Sequence, residues 1–295
     1  MDRGIVDVLA GRVMWAVSAF SLVLVFIIAS VLVLKSMPIL SSRSLVELLI
    51  TSAWNPPRGE FGFYPFVAGT FLVTGLTLLL ACPVCLLTAV YLAEYAPRGI
   101  RGIVKPAVDL LAGIPSVIFG LWGVLFIVPL IKGYAARLLG INITGYSVLA
   151  GAIVLAIMVS PILISISEEV IRAVPLQLRE ASVALGATSW QTTKHVVLRK
   201  ALPGIFAAVV LAFGRAFGET MAVLMVVGNV PQVPTSVLDP AYPIPALIAN
   251  EYGEMLSIPF YDSALLFGAL ILLIVVSVFN IMARIVLVKL EGRSF

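Results

Sequence analysis

Six mostly apolar stretches, at about 13–34, 66–93, 107–130, 147–167, 204–228 and 263–288, constrain this chain more than any other feature. A helix needs about 20 such residues to cross the hydrocarbon core of a bilayer. In lipid, a helix satisfies every backbone group within its own segment. The expectation is an all-α integral membrane protein with six transmembrane helices in one transmembrane domain over residues 1–295. Composition agrees: 61% of residues are hydrophobic, 12% are charged and mean hydropathy is +1.13. A soluble domain carries about 25% charged residues, so this chain cannot coat a water-facing surface. Disorder is excluded as well, because it needs low hydrophobicity and high net charge.

The charges orient the spans. Net charge is +4, and Lys and Arg sit in the connections. In a soluble chain that balance would hint at nucleic acid; here bilayer orientation explains it better, so nucleic acid is not expected as a partner and membrane lipid is. Thirteen basic residues fall in the N-terminus, the second and fourth connections and the C-terminus, against five in the opposite set. The excess marks the cytoplasmic side, which places both termini there. The first run could be a secretory signal. Its uncharged stretch of about 21 residues exceeds the usual h-region of about 7–15, so an uncleaved first helix is expected.

Two connections exceed a hairpin. The external one, 229–262, has six prolines, no basic residue, and the acids Asp239, Glu251, Glu254 and Asp262. It reads either as a re-entrant gating segment or as a solvated cap. The cytoplasmic one, 168–203, is polar, helix-prone and punctuated by Pro175, Gly186 and Pro203. Glu94–Arg98, Lys105–Asp109 and Glu168–Arg172 have i, i+4 spacing and read as interfacial ion pairs. Pro83, Pro115 and Pro161 would kink their spans. Cys82 and Cys85 lack a second ligand pair and read as small buried fillers, so no metal site is expected.

The nineteenth basic residue, Arg215, lies inside the fifth run, four residues before Glu219. A charge at mid-membrane costs about 2.5–3.5 kcal/mol on insertion scales and usually faces a bundle interior or an aqueous cavity. On one continuous helix the pair would share a face. A guanidinium offers a fork of donors suited to tetrahedral oxyanions, so Arg215, Glu219 and the adjoining Thr220 are candidates for an anion pathway. The alternative is a structural salt bridge between helices. Thr74, on a face with Thr70 and Thr77, and Ser116, after Pro115, are weaker candidates, because membrane hydroxyls commonly bond their own i−4 carbonyl. No G-x-x-x-x-G-K-[ST] loop cradles nucleotide phosphates, the single histidine, His195, lies in a connection, and no nucleophile–base set stands out. No catalytic residues or cofactor of its own are expected, and any ATPase would be another polypeptide.

The fourth connection reads Leu178-Arg-Glu180-Ala181-Ser182-Val-Ala-Leu-Gly186, with Val196-Val-Leu198 following. It resembles the E-A-A-x3-G coupling segment of ABC importer permeases. The resemblance implies that Glu180, Ala181 and Gly186 contact an ATPase subunit. Arg199 replaces the pattern's proline, which leaves Pro203 as the candidate exit from the second short helix. Arg215-Ala-Phe-Gly-Glu-Thr-Met221 through Asn229 is similar to the fifth-span signature of phosphate-specific permeases of the PstC type. Further similar stretches include 91–97 and 111–122, within a resemblance running from Trp54 to Asn280. What this implies is a type I (MetI-like) importer fold, a PstA-like second permease, two ATPase subunits and an extracytoplasmic phosphate-binding protein. Phosphate would pass by alternating access. Rival readings are a permease for sulfate or molybdate, or an ATP-independent secondary transporter or anion channel.

Overall fold

The computed structural model describes residues 3–140, 142–253 and 258–291, so Glu254 and Arg293 lie outside the described residues. Helix α1 (Arg3–Ser42) leads through α2 (Leu45–Ile50) and a two-residue hairpin, β1 (Trp54–Asn55) with β2 (Glu60–Phe61), to α3 (Tyr64–Val90). Next come α4 (Arg98–Ala112), α5 (Ser116–Trp122) and α6 (Val128–Tyr134), then α7 (Val148–Arg172), α8 (Leu176–Ala184), α9 (Ser189–Thr192) and α10 (Leu198–Phe217). Helices α11 (Met221–Val226), α12 (Ile244–Glu251) and α13 (Tyr261–Glu291) complete the order. Among the described residues, six helical runs are long and apolar enough to cross a membrane.

Apolar side chains gain little by leaving lipid for protein, so helix contacts in a bilayer depend on close packing and satisfied polar groups. The spans follow this logic. Helix α7 is the centre, packed on α3 and α10. Gly151 lets Val73 of α3 approach, and a Cβ on Gly204 of α10 would overlap the Val170 methyls of α7. Gly204→Val is therefore expected to cost about 1–3 kcal/mol by overpacking. Thermal unfolding of the purified chain in detergent should show a lowered midpoint; an unchanged midpoint would contradict the packing. At the periphery, α1 exposes its 8–29 stretch almost throughout, while its C-terminal end packs on α13. There Ser263 Oγ donates to the Lys35 carbonyl (2.8 Å) and accepts from the Ile39 N–H (3.3 Å).

Two spans start or end short of their sequence expectation, both at helix breaks. The third starts at Ser116 rather than near 107: Gly113 ends α4, and Pro115 directs Ile114 away from helical geometry. The fifth ends at Phe217 rather than near 228, and residues 218–220 separate α10 from α11. Pro203 makes no exit either, since 189–217 is helical throughout, with a π-helical turn at Thr193–Val197.

The described part of the Pro-rich connection is bonded to the start of α7. Two of its carbonyls, with that of Val226 at the end of α11, complete the N-terminus of α7, where four N–H groups lack intrahelical partners. The Ser147 N–H donates to the Val226 carbonyl (3.3 Å), that of Val148 to Asp239 (2.9 Å) and that of Leu149 to Val237 (2.8 Å). Ser147 Oγ accepts from the Ala150 N–H (3.2 Å). The turn is tied by Asp239, whose Oδ2 accepts from the Thr235 hydroxyl and from the N–H groups of Thr235 and Ser236. These bonds hold its carboxyl below the ordinary aspartate range, the Thr235 hydroxyl foremost. Helix α12 then buries Ile244, Ala246 and Leu247 in a cluster with Phe63, Phe66 and Tyr261.

Candidate functional site

The charged pair of the fifth run sits at the break. Arg215 lies in the last turn of α10, and Glu219 lies beyond the helix end, just before α11. The single-helix face expected from i, i+4 spacing does not form. Among the described residues no ion pair joins Arg215 to Glu219. Each charge instead meets a helix end of opposite polarity. Arg215 stands near the carbonyl end of α10, where a cation is favoured, and Glu219 near the N–H end of α11, where an anion is favoured. Glu219 Oε1 accepts from the Ala222 N–H (3.3 Å). The break thus removes the reason for the two side chains to neutralise each other. Arg215 is exposed on this chain, and Glu219 and Thr220 are half-buried. The Thr220 hydroxyl donates to the Gly218 carbonyl (3.3 Å).

Ser116 opens the neighbouring helix α5, which packs against α11. A Cβ on Gly120 would lie 2.7 Å from Met225 Sδ and 3.2 Å from the Ala222 Cα, and one on Gly123 would lie 2.7 Å from Val226 Cγ1. Contacts therefore advance in the same direction along α5 and α11. Ser116 lies one turn before Gly120, at the start of α5, and is half-buried. Gly120 is what permits this approach; a side chain there would push α11 away.

Thr74 is placed differently. It is 2% exposed, and with Thr70 and Thr77 it faces the interior of the chain. Thr70 donates to the Phe66 carbonyl (2.7 Å) and accepts from the Ile244 N–H (3.0 Å). Thr77 donates to the Val73 carbonyl (2.7 Å). The structure does not bring Thr74 to the exposed side of the break; the threonine face holds α3 to its neighbours.

The E-A-A-like segment forms a helix–turn–helix. Helix α8 buries none of its residues. Gly186 takes φ +85°, a left-handed conformation that a side chain would strain. Thr188 and Gln191 then form a reciprocal capping box that starts α9. Glu180, Ala181 and Gly186 are all exposed. So are Leu185 (90%), Val183 and Trp190, an apolar set at the tip of the segment.

Behind this tip lies a polar hub that sequence spacing missed. Glu94 pairs not with Arg98 but with Arg179 of α8 (2.8 Å). Glu168–Arg172 forms as expected (2.6 Å), whereas Lys105–Asp109 is not among the ion pairs of the described residues. Cys85 is buried and Cys82 half-buried, both free thiols. Among the described residues no group of three or more His, Cys, Asp or Glu side chains could hold a metal.

The family described as binding-protein-dependent transport system inner membrane component matches residues 83–292. The phosphate transport system permease protein PstC of Xylella fastidiosa (strain 9a5c) is 37% identical over 263 residues, covering 84% of this chain and 81% of that protein. Among solved structures, a bacterial alginate ABC transporter in complex with an alginate pentasaccharide-bound periplasmic protein has a chain similar at a TM-score of 0.63. The identity is 18%, with 97% of this chain and 99% of that one covered. The inward-facing MetNI methionine ABC transporter gives 0.56 at 20% identity, over 78% of this chain and 94% of that one. These two likenesses carry the fold: that of an ABC importer permease.

Proposed function

Since this chain belongs to the binding-protein-dependent transport system inner membrane components, in their phosphate permease (PstC) group, we propose that it translocates inorganic phosphate as a permease subunit of an ABC importer. The observation that carries the site is the break at 218–220, which holds an exposed Arg215 clear of Glu219. Broken helices at mid-membrane are tolerated where they line a cavity, and transporters use such breaks at their substrate sites. Phosphate crossing the break would meet the Arg215 fork, with the Thr220 and Ser116 hydroxyls nearby. Glu219 would accept a hydrogen bond from the P–OH group of hydrogen phosphate or repel a second anion. An exposed guanidinium binds weakly enough to let the ion leave.

The remaining assembly is inferred on the same basis. One transmembrane domain spans the chain, with both termini and the 168–203 connection in the cytoplasm, as the basic residues favour. The exposed tip at Glu180, Ala181, Leu185 and Gly186 docks on one of two ATPase subunits. The exposed faces of α4, α5 and α10 meet a PstA-like second permease, and α1 meets lipid. A phosphate-binding protein delivers the ion to the 229–262 side. Thr74 keeps at most an indirect part, through the packing of α3.

The test is ATP-driven uptake of labelled phosphate into vesicles holding the whole complex, with excess unlabelled sulfate outside. Uptake that needs ATP and the binding protein and resists sulfate is expected. Competition by sulfate would make the chain a broader oxyanion permease, and uptake without ATP would make it a channel or secondary transporter.

A further inference from the structure

Helix α8 buries no side chain, so apolar packing does not fix it, yet a coupling element must deliver force somewhere. Ser182 Oγ lies 2.9 Å from Thr192 Oγ1 and ties α8 to α9; the contacts of Arg179 lead out of the segment. The Arg179 guanidinium donates through Nη2 to Glu94 Oε1 (2.8 Å) and to the Ile171 carbonyl (2.9 Å), and through Nη1 to the Val174 carbonyl. Both partners of the ion pair are mostly covered, Arg179 at 19% and Glu94 at 13% side-chain exposure. Glu94 lies in a π-helical turn, Tyr91–Tyr95, that ends the α3 run. The adjoining Tyr95 hydroxyl donates to Thr193 Oγ1 (3.2 Å), in the segment that continues α9. One turn of backbone therefore grips both arms of the helix–turn–helix. The same turn is braced from outside: Arg101 Nε donates to the Leu92 carbonyl (2.9 Å) and its Nη2 to that of Ala93 (3.2 Å), and Arg172 Nη2 donates to Leu92 (3.4 Å).

At its other end α3 reaches the break. The Phe71 ring meets that of Phe217, the last residue of α10, at 5.4 Å. Between Phe71 and Glu94 the helix spans about 35 Å at 1.5 Å per residue. From this juxtaposition we infer that the Glu94–Arg179 ion pair is the latch through which the α8–α9 segment moves α3, and that α3 is the lever carrying that motion to the 218–220 break. Glu94 and Arg179 are positioning residues; neither touches the transported ion. A mostly covered, directional ion pair suits the task, because removing one partner strands the other charge, whereas exposed pairs contribute little.

The inference rests on the importer reading above, and the experiment separates the two. The complete complex, with its ATPase subunits and binding protein, is reconstituted with Glu94→Gln, Arg179→Gln, both together, and the exchange Glu94→Arg with Arg179→Glu. Three quantities are read: ATPase subunits retained on purification, basal ATP hydrolysis, and phosphate imported per ATP. Each single variant is expected to retain the ATPase subunits and basal hydrolysis while phosphate per ATP falls about tenfold. The double Gln variant should fall no further than either single one, and the exchange should recover at least half of the loss. Unchanged phosphate per ATP in Glu94→Gln, additive losses in the double variant, or no recovery in the exchange would overturn the latch. Loss of assembly in the near-isosteric Glu94→Gln would overturn it too, by making the pair a folding contact. A wild-type complex that hydrolyses ATP without importing phosphate would instead contradict the importer reading.

Discussion

Arg215→Gln is expected to lower ATP-driven phosphate uptake about ten- to hundredfold while the complex assembles normally. Hydrogen bonds to a charged group contribute about 1.5–3 kcal/mol, and each 1.36 kcal/mol off the barrier is a tenfold change in rate. The side chain is exposed and makes no ion pair among the described residues, so its loss leaves no stranded partner. Thermal unfolding of the purified complex should therefore match wild type. Arg215→Lys keeps the charge but loses the fork, and should fall between the two. Uptake by Arg215→Gln equal to wild type would remove the residue from the pathway. A large drop in unfolding temperature would instead make it a structural lock.

Leu185→Asp is expected to weaken ATPase binding at least tenfold. At 90% exposure beside Gly186, this leucine contributes almost nothing to the fold of its own chain. A large apolar residue held so far out at the tip of an ordered turn is suited to a pocket on another protein, and buried anchors of that kind carry about 2 kcal/mol or more of an interface. Titration of the detergent-solubilised permease pair with the ATPase subunit reads the affinity directly. Wild-type affinity in the variant would move the docking surface elsewhere. Loss of folded permease would show that Leu185 is packed within its own chain after all.

What the sequence made legible follows from the range of each signal. Long apolar runs are strong enough to give six spans without any tertiary information, and Gly186 between two polar, helix-prone segments announced the turn that the structure builds at φ +85°. The breaks were harder. Hydropathy stays high from Gly204 through Gly228 because both α10 and α11 are apolar, so nothing in that average marks residues 218–220. Gly113-Ile-Pro115 carries a stop signal, but a proline within an apolar run predicts a kink as readily as a helix end. Helical spacing found Glu168–Arg172, since that pair closes within one helix. It misassigned Glu94, whose partner lies 85 residues away and is set by how α3 and α8 meet. Helical spacing puts the threonines of α3 on one face, while the direction of that face depends on packing against α7 and Ile244. The Arg215–Glu219 cluster was found by its cost in lipid, while its geometry depends on the helix end between them.

On this reading the break at 218–220 lines the route of the ion. Its most direct test places a cysteine at Thr220 in a chain carrying Cys82→Ala and Cys85→Ala, within the reconstituted complex. A charged, membrane-impermeant thiol reagent is added from one side or the other, with and without ATP and with and without phosphate. Labelling should change sides between the nucleotide-free and ATP-bound states and slow in the presence of phosphate. Labelling from one fixed side at a rate indifferent to both ATP and phosphate would contradict it.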